Sequence, residues 1–236
     1  MIQEAKKMFK TELHAHSSSV SDCASVHESV VAERYIEAGY TTLVLTNHLS
    51  HFTYKNKRFD HSAHSWKEKI DYYMNGYNIL KEAAGDRLNV LLGVELRRNA
   101  DDNDYLLYGI DEDFLRSYPT IMDDTLQNVV NAVHEAGGLL FQAHPFRNHM
   151  KIVKPIFLDG IEVYNGHIGQ ESRNDIANMW ADKYGLRKIS GTDYHHDHHV
   201  IGAGIETDVA ITSEAQLVEI LTNGNYSLIR SGAVPY

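Results

Sequence analysis

The sequence predicts one α/β domain in which about seven or eight strands alternate with helical crossovers in a parallel, barrel-like unit. Three observations point there. Short β-branched apolar runs alternate with amphipathic segments that carry capping signals. The 236 residues contain no repeat, no low-complexity segment and no linker rich in Pro, Gly or Ser, so residues 1–236 read as one unit. The polar residues with ligand chemistry fall at the carboxyl ends of the apolar runs, where such folds place their active sites.

The elements follow in order. A short strand ends at Leu13. "SVHESVVAERYIEAG" reads as a helix with a capping box, Ser25 with Glu28, and with Gly39 as its stop. "TTLVLTNH" is a buried strand. "LSHFTYKNKRFDHSAH" lacks periodicity and reads as a long loop, the kind that tends to be functional or mobile. Ser65 with Glu68 caps a second helix that runs towards Gly85. "NVLLGVEL" and "DYLLYGI" are strands. Asp123 to Gly137 is helical, with Leu126, Val129, Val130 and Val133 on one face. "LLFQAHP" and "GIEVYNG" are strands, Ser172 to Tyr184 a helix, and "RKISGTD" a strand. "SEAQLVEILTNG" is a short helix and "YSLIRSG" the last strand.

Hydrophobic residues make up 43% of the chain, enough for a sizeable core, and the net charge is -10. That charge argues against a nucleic-acid binder working through bulk electrostatics. An acidic chain still binds an anion where bound cations reverse the local sign. Cys23 is the only cysteine, which excludes an internal disulfide and fits a reducing compartment. "MIQEAKKMFK" lacks the apolar core of a signal peptide, and no run approaches about 18 apolar residues. The expected setting is cytoplasmic, with no membrane partner.

Histidine is the unusual component, with 15 copies. His14 and His16 follow the first strand, His48 the second and Glu95 the third. His144, Asn165, and then Asp193 with His195 end later strands. In a β/α barrel these ends converge on one face. Imidazoles plus carboxylates without a thiolate form a metal-ligating set. Each motif alone is weak, since a lone His-x-His occurs by chance. His27 and His134 lie within helices and read as solvated or partly packed. His51, His61 and His64 read as loop surface or a lid, and His196, His198 and His199 as a polar loop. Co-occurrence at strand ends carries the case.

Taken together, "ELHAHSSSVSD", "LTNH", "GVE", "AHP" and "GTDYH" resemble the PHP (polymerase and histidinol phosphatase) superfamily, from about Glu12 to Gly204. The resemblance implies a distorted (β/α)7 barrel with two or three divalent metal ions, Zn, Mn or Fe. It implies that His14, His16, Glu95 and Asp193 hold the first ion. Glu95 bridges to a second, held also by His144, and Asp22, His48 and His195 hold a third. Two departures stand out. Asn47 replaces the usual Asp of the second motif. Asp104 in "DYLLYG" stands where the family commonly has a histidine, which shifts preference towards harder ions, with Asp101 and Asp102 as rivals for the role.

The implied function is hydrolysis of a small-molecule phosphate ester, such as a histidinol-phosphatase-like monoester, with metal-bound hydroxide as nucleophile. Glu95, Asp193 and His195 are the expected catalytic residues, His195 as a proton donor if it is not committed to metal. Arg147 and Arg97, with Arg98 beside it, are candidate phosphate forks, and Asn165 and His167 candidate pocket residues. The rivals are a 3'-5' exonuclease-type phosphodiesterase, which the charge argues against, and a metal-bound regulatory module without activity. An amidohydrolase would need a metal-bridging lysine at a strand end, and none is present.

Overall fold

The computed structural model describes residues 7–55, 59 and 64–231; His61 lies outside them. The strands are β1 (Phe9–Ala15), β2 (Tyr40–Leu45), β3 (His48–Leu49), β4 (Asn89–Leu92), β5 (Val94–Arg97) and β6 (Asp104–Tyr108). They continue with β7 (Leu139–Gln142), β8 (Gly160–Asn165), β9 (Arg187–Gly191), β10 (Ala203–Thr207) and β11 (Ser227–Arg230). The helices are α1 (Glu28–Glu37), α2 (Trp66–Ala84), α3 (Glu112–Ser117), α4 (Leu126–Glu135), α5 (Asn174–Tyr184) and α6 (Glu214–Asn223). Among the described residues no helix is long and apolar enough to cross a membrane.

The strands form two sheets, ordered β11-β10-β1-β2-β4 and β3-β5-β6-β7-β8-β9. They are not uniformly parallel, which corrects the sequence expectation. β6 is antiparallel to both β5 and β7, and β10 is antiparallel to both β1 and β11. The reason at β5–β6 is length. Residues 98–103 cannot form a crossover, which takes about a dozen residues or more, so the chain turns back as a hairpin. The sheets meet at two seams. Ala15 bridges Tyr194 at one. At the other, β4 passes into β5 across Gly93, where a Cβ would lie 2.7 Å from Val44 Cγ1 and 2.9 Å from Thr46 Cγ2.

Strand alternation distributes the core. Tyr105 and Leu107 of β6 pack with Ile70, Tyr73, Val129 and Val133 under α2 and α4. Leu106 and Tyr108 point the other way, to Leu13, Phe141, Ile189 and Leu217. A third cluster joins α1 and α2 to the first sheet through Val31, Tyr35, Leu43 and Leu80.

The capping box Ser65–Glu68 forms as expected. The one expected at Ser25–Glu28 does not. His27 is the N-cap of α1 and accepts from Ser29 N, while the Glu28 carboxylate turns inward to Ser19 N and Oγ. Ser25 Oγ instead lies 2.8 Å from His196 Nδ1. His134 is solvated and pairs with Asp159 at 2.9 Å. α4 is shorter than expected, with Thr125 as its N-cap, and α5 starts at Asn174 rather than Ser172. Helix α3 and strand β10 have no counterpart in the sequence reading.

Candidate metal centre

β1 carries His14 near its end, and His16 follows one residue beyond it. His14 Nε2 lies 3.3 Å from both Glu95 Oε1 and Asp193 Oδ1. His16 Nε2 lies 3.2 Å from Glu95 Oε2 and 3.4 Å from Asp193 Oδ1. From β3, His48 Nδ1 reaches Glu95 Oε2 at 2.8 Å. After β7, His144 Nε2 lies 3.1 Å from Glu95 Oε1 and 3.8 Å from Asp104 Oδ2. Glu95, fully buried on β5, is therefore the hub.

His14 Nε2, His16 Nε2, Glu95 Oε2 and His144 Nδ1 are buried and make no hydrogen bond. Polar atoms so placed are costly unless something satisfies them. A shared cation would satisfy the donors that converge on Glu95, and the nitrogen and oxygen set suits a divalent ion. Four groups have donor atoms within 4.8 Å of one another: His16–His48–His195, His14–His16–Glu95, His14–His144–Asp193 and His48–Glu95–Asp104. The structure thus gathers eight of the nine expected ligands. Asp22 joins none of these groups and is exposed at the mouth of the site.

The electrostatics agree. Burial works against charge on Glu95, yet His48 and His14 outweigh it and hold the carboxyl well below its usual range. Burial likewise opposes charge on His14 and His48. Asp193, Glu162 and Glu95 raise His14 well above the usual imidazole value, and Glu95 raises His48. Asp193, despite burial, is held low by His14, Arg147 and His195. His195 is pushed well below its usual value by burial and by His16, which keeps it neutral.

Partners behind the cluster fix its geometry. Glu162 Oε1 lies 2.9 Å from His14 Nδ1, which leaves Nε2 facing the centre. The other oxygen of Glu162 accepts from His144 N and from Asn165 Nδ2, each at 2.9 Å. A Cβ at Gly191 would lie 2.4 Å from His14 Cβ and 2.7 Å from Glu162 Oε1, so β9 passes behind this pair only as glycine. His144 (φ 27) and Asp193 (φ 52) both sit in the left-handed region, a strain that the surrounding bonds must hold. Glu12 accepts from Leu13 N, His14 N, Thr192 N and Tyr35 Oη, and pairs with the Thr192 hydroxyl. Burial, offset in part by those bonds, pushes its pKa up to about 7. Glu162 escaped the sequence reading, whereas Glu12 was read as the acid of the opening motif without a role assigned to it. The only signal for Glu162 is an acid inside the otherwise largely apolar strand GIEVYN.

The expected substrate residues have other partners. Arg147 Nη2 donates to Asp193 Oδ2 and Asn165 Oδ1, each at 2.8 Å, and to Ser172 Oγ at 3.3 Å. Asn165 is buried and also donates to Asp193 Oδ2 at 3.2 Å. Arg97 grips Asp104 with two bonds, one of them Nε to Oδ1 at 2.6 Å. Arg98 is held by Asp124 O and Asp101, and Asp102 pairs with Lys151. Of the three neighbouring aspartates, Asp104 alone reaches the cluster. The half-buried His167 ring stands 4.5 Å from His199 and 5.5 Å from His195. A cavity of about 530 Å³ opens at the mouth, lined by Asp22, Cys23, His48, Phe52, Lys55 and Arg97 among others.

No protein-family model and no curated protein matches the chain. Solved structures do. A two-domain protein from Bacteroides vulgatus ATCC 8482 that contains a predicted PHP-like metal-dependent phosphoesterase is similar at TM-score 0.69 and 17% identity, over 95% of this chain and 65% of that one. A putative metal-dependent phosphoesterase from Bifidobacterium adolescentis ATCC 15703 is similar at TM-score 0.57 and 14% identity, over 92% of this chain and 97% of that one. Endonuclease Q, in complex with a 27-mer duplex carrying an abasic lesion at its active site, is similar at TM-score 0.63 and 12% identity, over 97% of this chain and 60% of that one. The chain thus spans less than two thirds of the first and third of these structures. The shared fold with endonuclease Q overturns the expectation that nucleic acid is an unlikely partner. Net charge sums the whole surface, whereas a strand is held at one face, where bound cations and a few basic residues set the local sign.

Proposed function

We infer that the chain belongs to the PHP superfamily and propose that it hydrolyses phosphate esters with divalent metal ions. One observation carries the proposal: the unpaired, buried donor atoms of His14, His16 and Glu95 face one another across the centre. In this reading His14, His16, Glu95 and Asp193 hold one ion, and Glu95 with His144 and Asp104 a second. His48 and His195 serve a third, with Asp22 at its open side. Two or three of Zn, Mn or Fe fit a donor set of imidazoles and carboxylates. The barrel reading of the fold rests on the isolated Ala15–Tyr194 bridge, which links the end of β1 to the segment that follows β9.

When bound, such ions activate water at neutral pH and offset charge on the phosphoryl oxygens. The chain supplies the rest. Glu95 balances the charge of two ions. Glu162 fixes the tautomer and direction of His14. Arg147 and Asn165 fix the Asp193 carboxylate. His195, neutral, acts as a ligand rather than as a proton donor. The phosphoryl group sits beside His48, and the leaving group occupies the mouth cavity of about 530 Å³, room for a small ester or a terminal nucleotide.

The test is metal analysis of the purified protein, followed by turnover of p-nitrophenyl phosphate, bis-p-nitrophenyl phosphate and an abasic duplex. Chelation should abolish turnover, and Mn, Zn or Fe should restore it. Glu95→Gln should lose at least about a thousandfold in rate, as expected when charge stabilisation in the transition state is removed. Full turnover by metal-free protein would sink the reading. A metal-replete protein inactive on every ester would favour a regulatory module.

A further inference from the structure

The candidate metal ligands are almost sealed: His14, His16 and Glu95 are 0% exposed and His195 7%. The loop after β9 leads outward from them and reads His195, His196, Asp197, His198, His199. Exposure rises along one file of rings. His16 is fully buried, His195 nearly so, His196 is half-buried and His198 is exposed. Ring centroids step by 4.2 Å from His16 to His195, by 6.2 Å to His196 and by 5.4 Å to His198, and the last two rings are parallel to within 5°. Two imidazoles that share one ion through bonds of about 2.1 Å have centroids no more than about 6.5 Å apart, so each step is within one ligand exchange.

Hydrogen bonds decide which rings can take part. His195 Nδ1 donates to Asp193 O at 2.9 Å, which leaves a lone pair on Nε2. His196 Nδ1 lies 2.8 Å from Ser25 Oγ, and donation to that oxygen frees its Nε2 in the same way. His199 and His167 differ. The backbone N–H groups of His195 and Gly169 donate to their Nδ1 atoms at 3.2 and 3.0 Å, so the neutral rings carry their proton on Nε2 and offer no ligand atom. Asp197, the one acid in this loop, is held by Arg34 of α1 through Nε at 2.8 Å and Nη2 at 2.6 Å, which ties the loop to that helix.

We propose that His198 and His196 form a landing site for a transition-metal ion, which reaches the centre by passing on to His195. The proposal rests on the metal-centre reading. The centre mixes carboxylates with imidazoles, whereas the landing pair offers nitrogen alone, so it favours Zn, Co, Ni or Cu over Mg or Ca. An ion held there is at high effective concentration for the next ring, while two imidazoles hold it loosely enough to let it go. Such a route changes rates and not the equilibrium, so it speeds release by the same factor as loading.

The experiment follows both directions on the full chain. Release is the transfer of Zn from metal-loaded protein to an excess of chromogenic chelator. Loading is the rise of visible Co absorption after micromolar Co is mixed with chelator-stripped protein. The double variant His196→Ala/His198→Ala should slow both by about tenfold, with final metal content and Kd as in wild type. His134→Ala, at a solvated histidine of α4, should match wild type in both rates. Unchanged rates in the double variant overturn the proposal and leave the mouth beside His48 as the way in. A changed Kd or metal content also overturns it, since the pair would then act on the centre's affinity rather than on access. If the wild type holds no metal at its centre, the metal-centre reading fails separately. Calorimetric titration with Zn then decides the landing pair, and equal heats in wild type and double variant overturn it.

Discussion

Glu162 touches no position where an ion would sit, yet it orients one ligand and pins the strained backbone of another. Glu162→Gln should therefore weaken metal affinity by about ten- to a hundredfold while the protein stays folded, read by competition with a chromogenic chelator. Arg147→Ala should also weaken metal binding, because Arg147 holds Asp193; metal content equal to wild type would return Arg147 to a role in substrate binding. A third expectation concerns protons. His14 and His48 have raised pKa values in the metal-free state, so they stay protonated to higher pH than an ordinary histidine. A metal must displace those protons, so its apparent affinity should rise with pH across the neutral range, with proton release visible as a buffer-dependent calorimetric heat. At this scale the sequence was informative. Seven of the eight gathered candidate positions were legible because each stands at the end of an apolar run; Asp104, which opens one, came from the family resemblance. The roles of Arg147 and Glu162 were not, because a guanidinium after "HPF" or an acid within "GIEVYNG" does not reveal which distant side chain it meets.

Elements were legible where local chemistry decides them, as at the Ser65–Glu68 box and the Gly85 stop of α2. They were misread where tertiary contacts won. Glu28 left the α1 cap for Ser19, and α3 and β10 are short segments whose placement depends on neighbours rather than on periodicity. Strand direction was also hidden: the antiparallel β6 follows from a loop length that only matters once β5 and β6 are neighbours. Gly93 gives a direct test of how the two sheets join. Gly93→Val would place branched carbons against Val44 and Thr46, where even a Cβ is too close. Such overpacking costs about 1–3 kcal/mol, so the melting temperature should fall by several degrees. An unchanged melting temperature would mean the seam has slack.

For the molecule as a whole, the alternation of elements announced an α/β class but not its division into two sheets, and net charge misjudged which partners the fold admits. The candidate metal centre draws on both ends of the chain, so ions bound there should stabilise the whole fold. At a free metal concentration of about 100 times Kd, the gain is roughly 2.7 kcal/mol, and a chelator should remove it in a thermal melt. That same convergence sets an order in time. Glu12 accepts a hydrogen bond from Thr192, 180 residues away, and Asp193 N donates to His14 O at 2.8 Å. A ribosome adding about 5–20 residues per second needs roughly ten to forty seconds to span that interval. Throughout it, the nascent chain carries histidines without Asp193, the carboxylate that follows β9, beside them. In the proposed reading, metal occupancy would record finished translation: a chain stalled before Thr192 would have most of the candidate ligands but no closed centre.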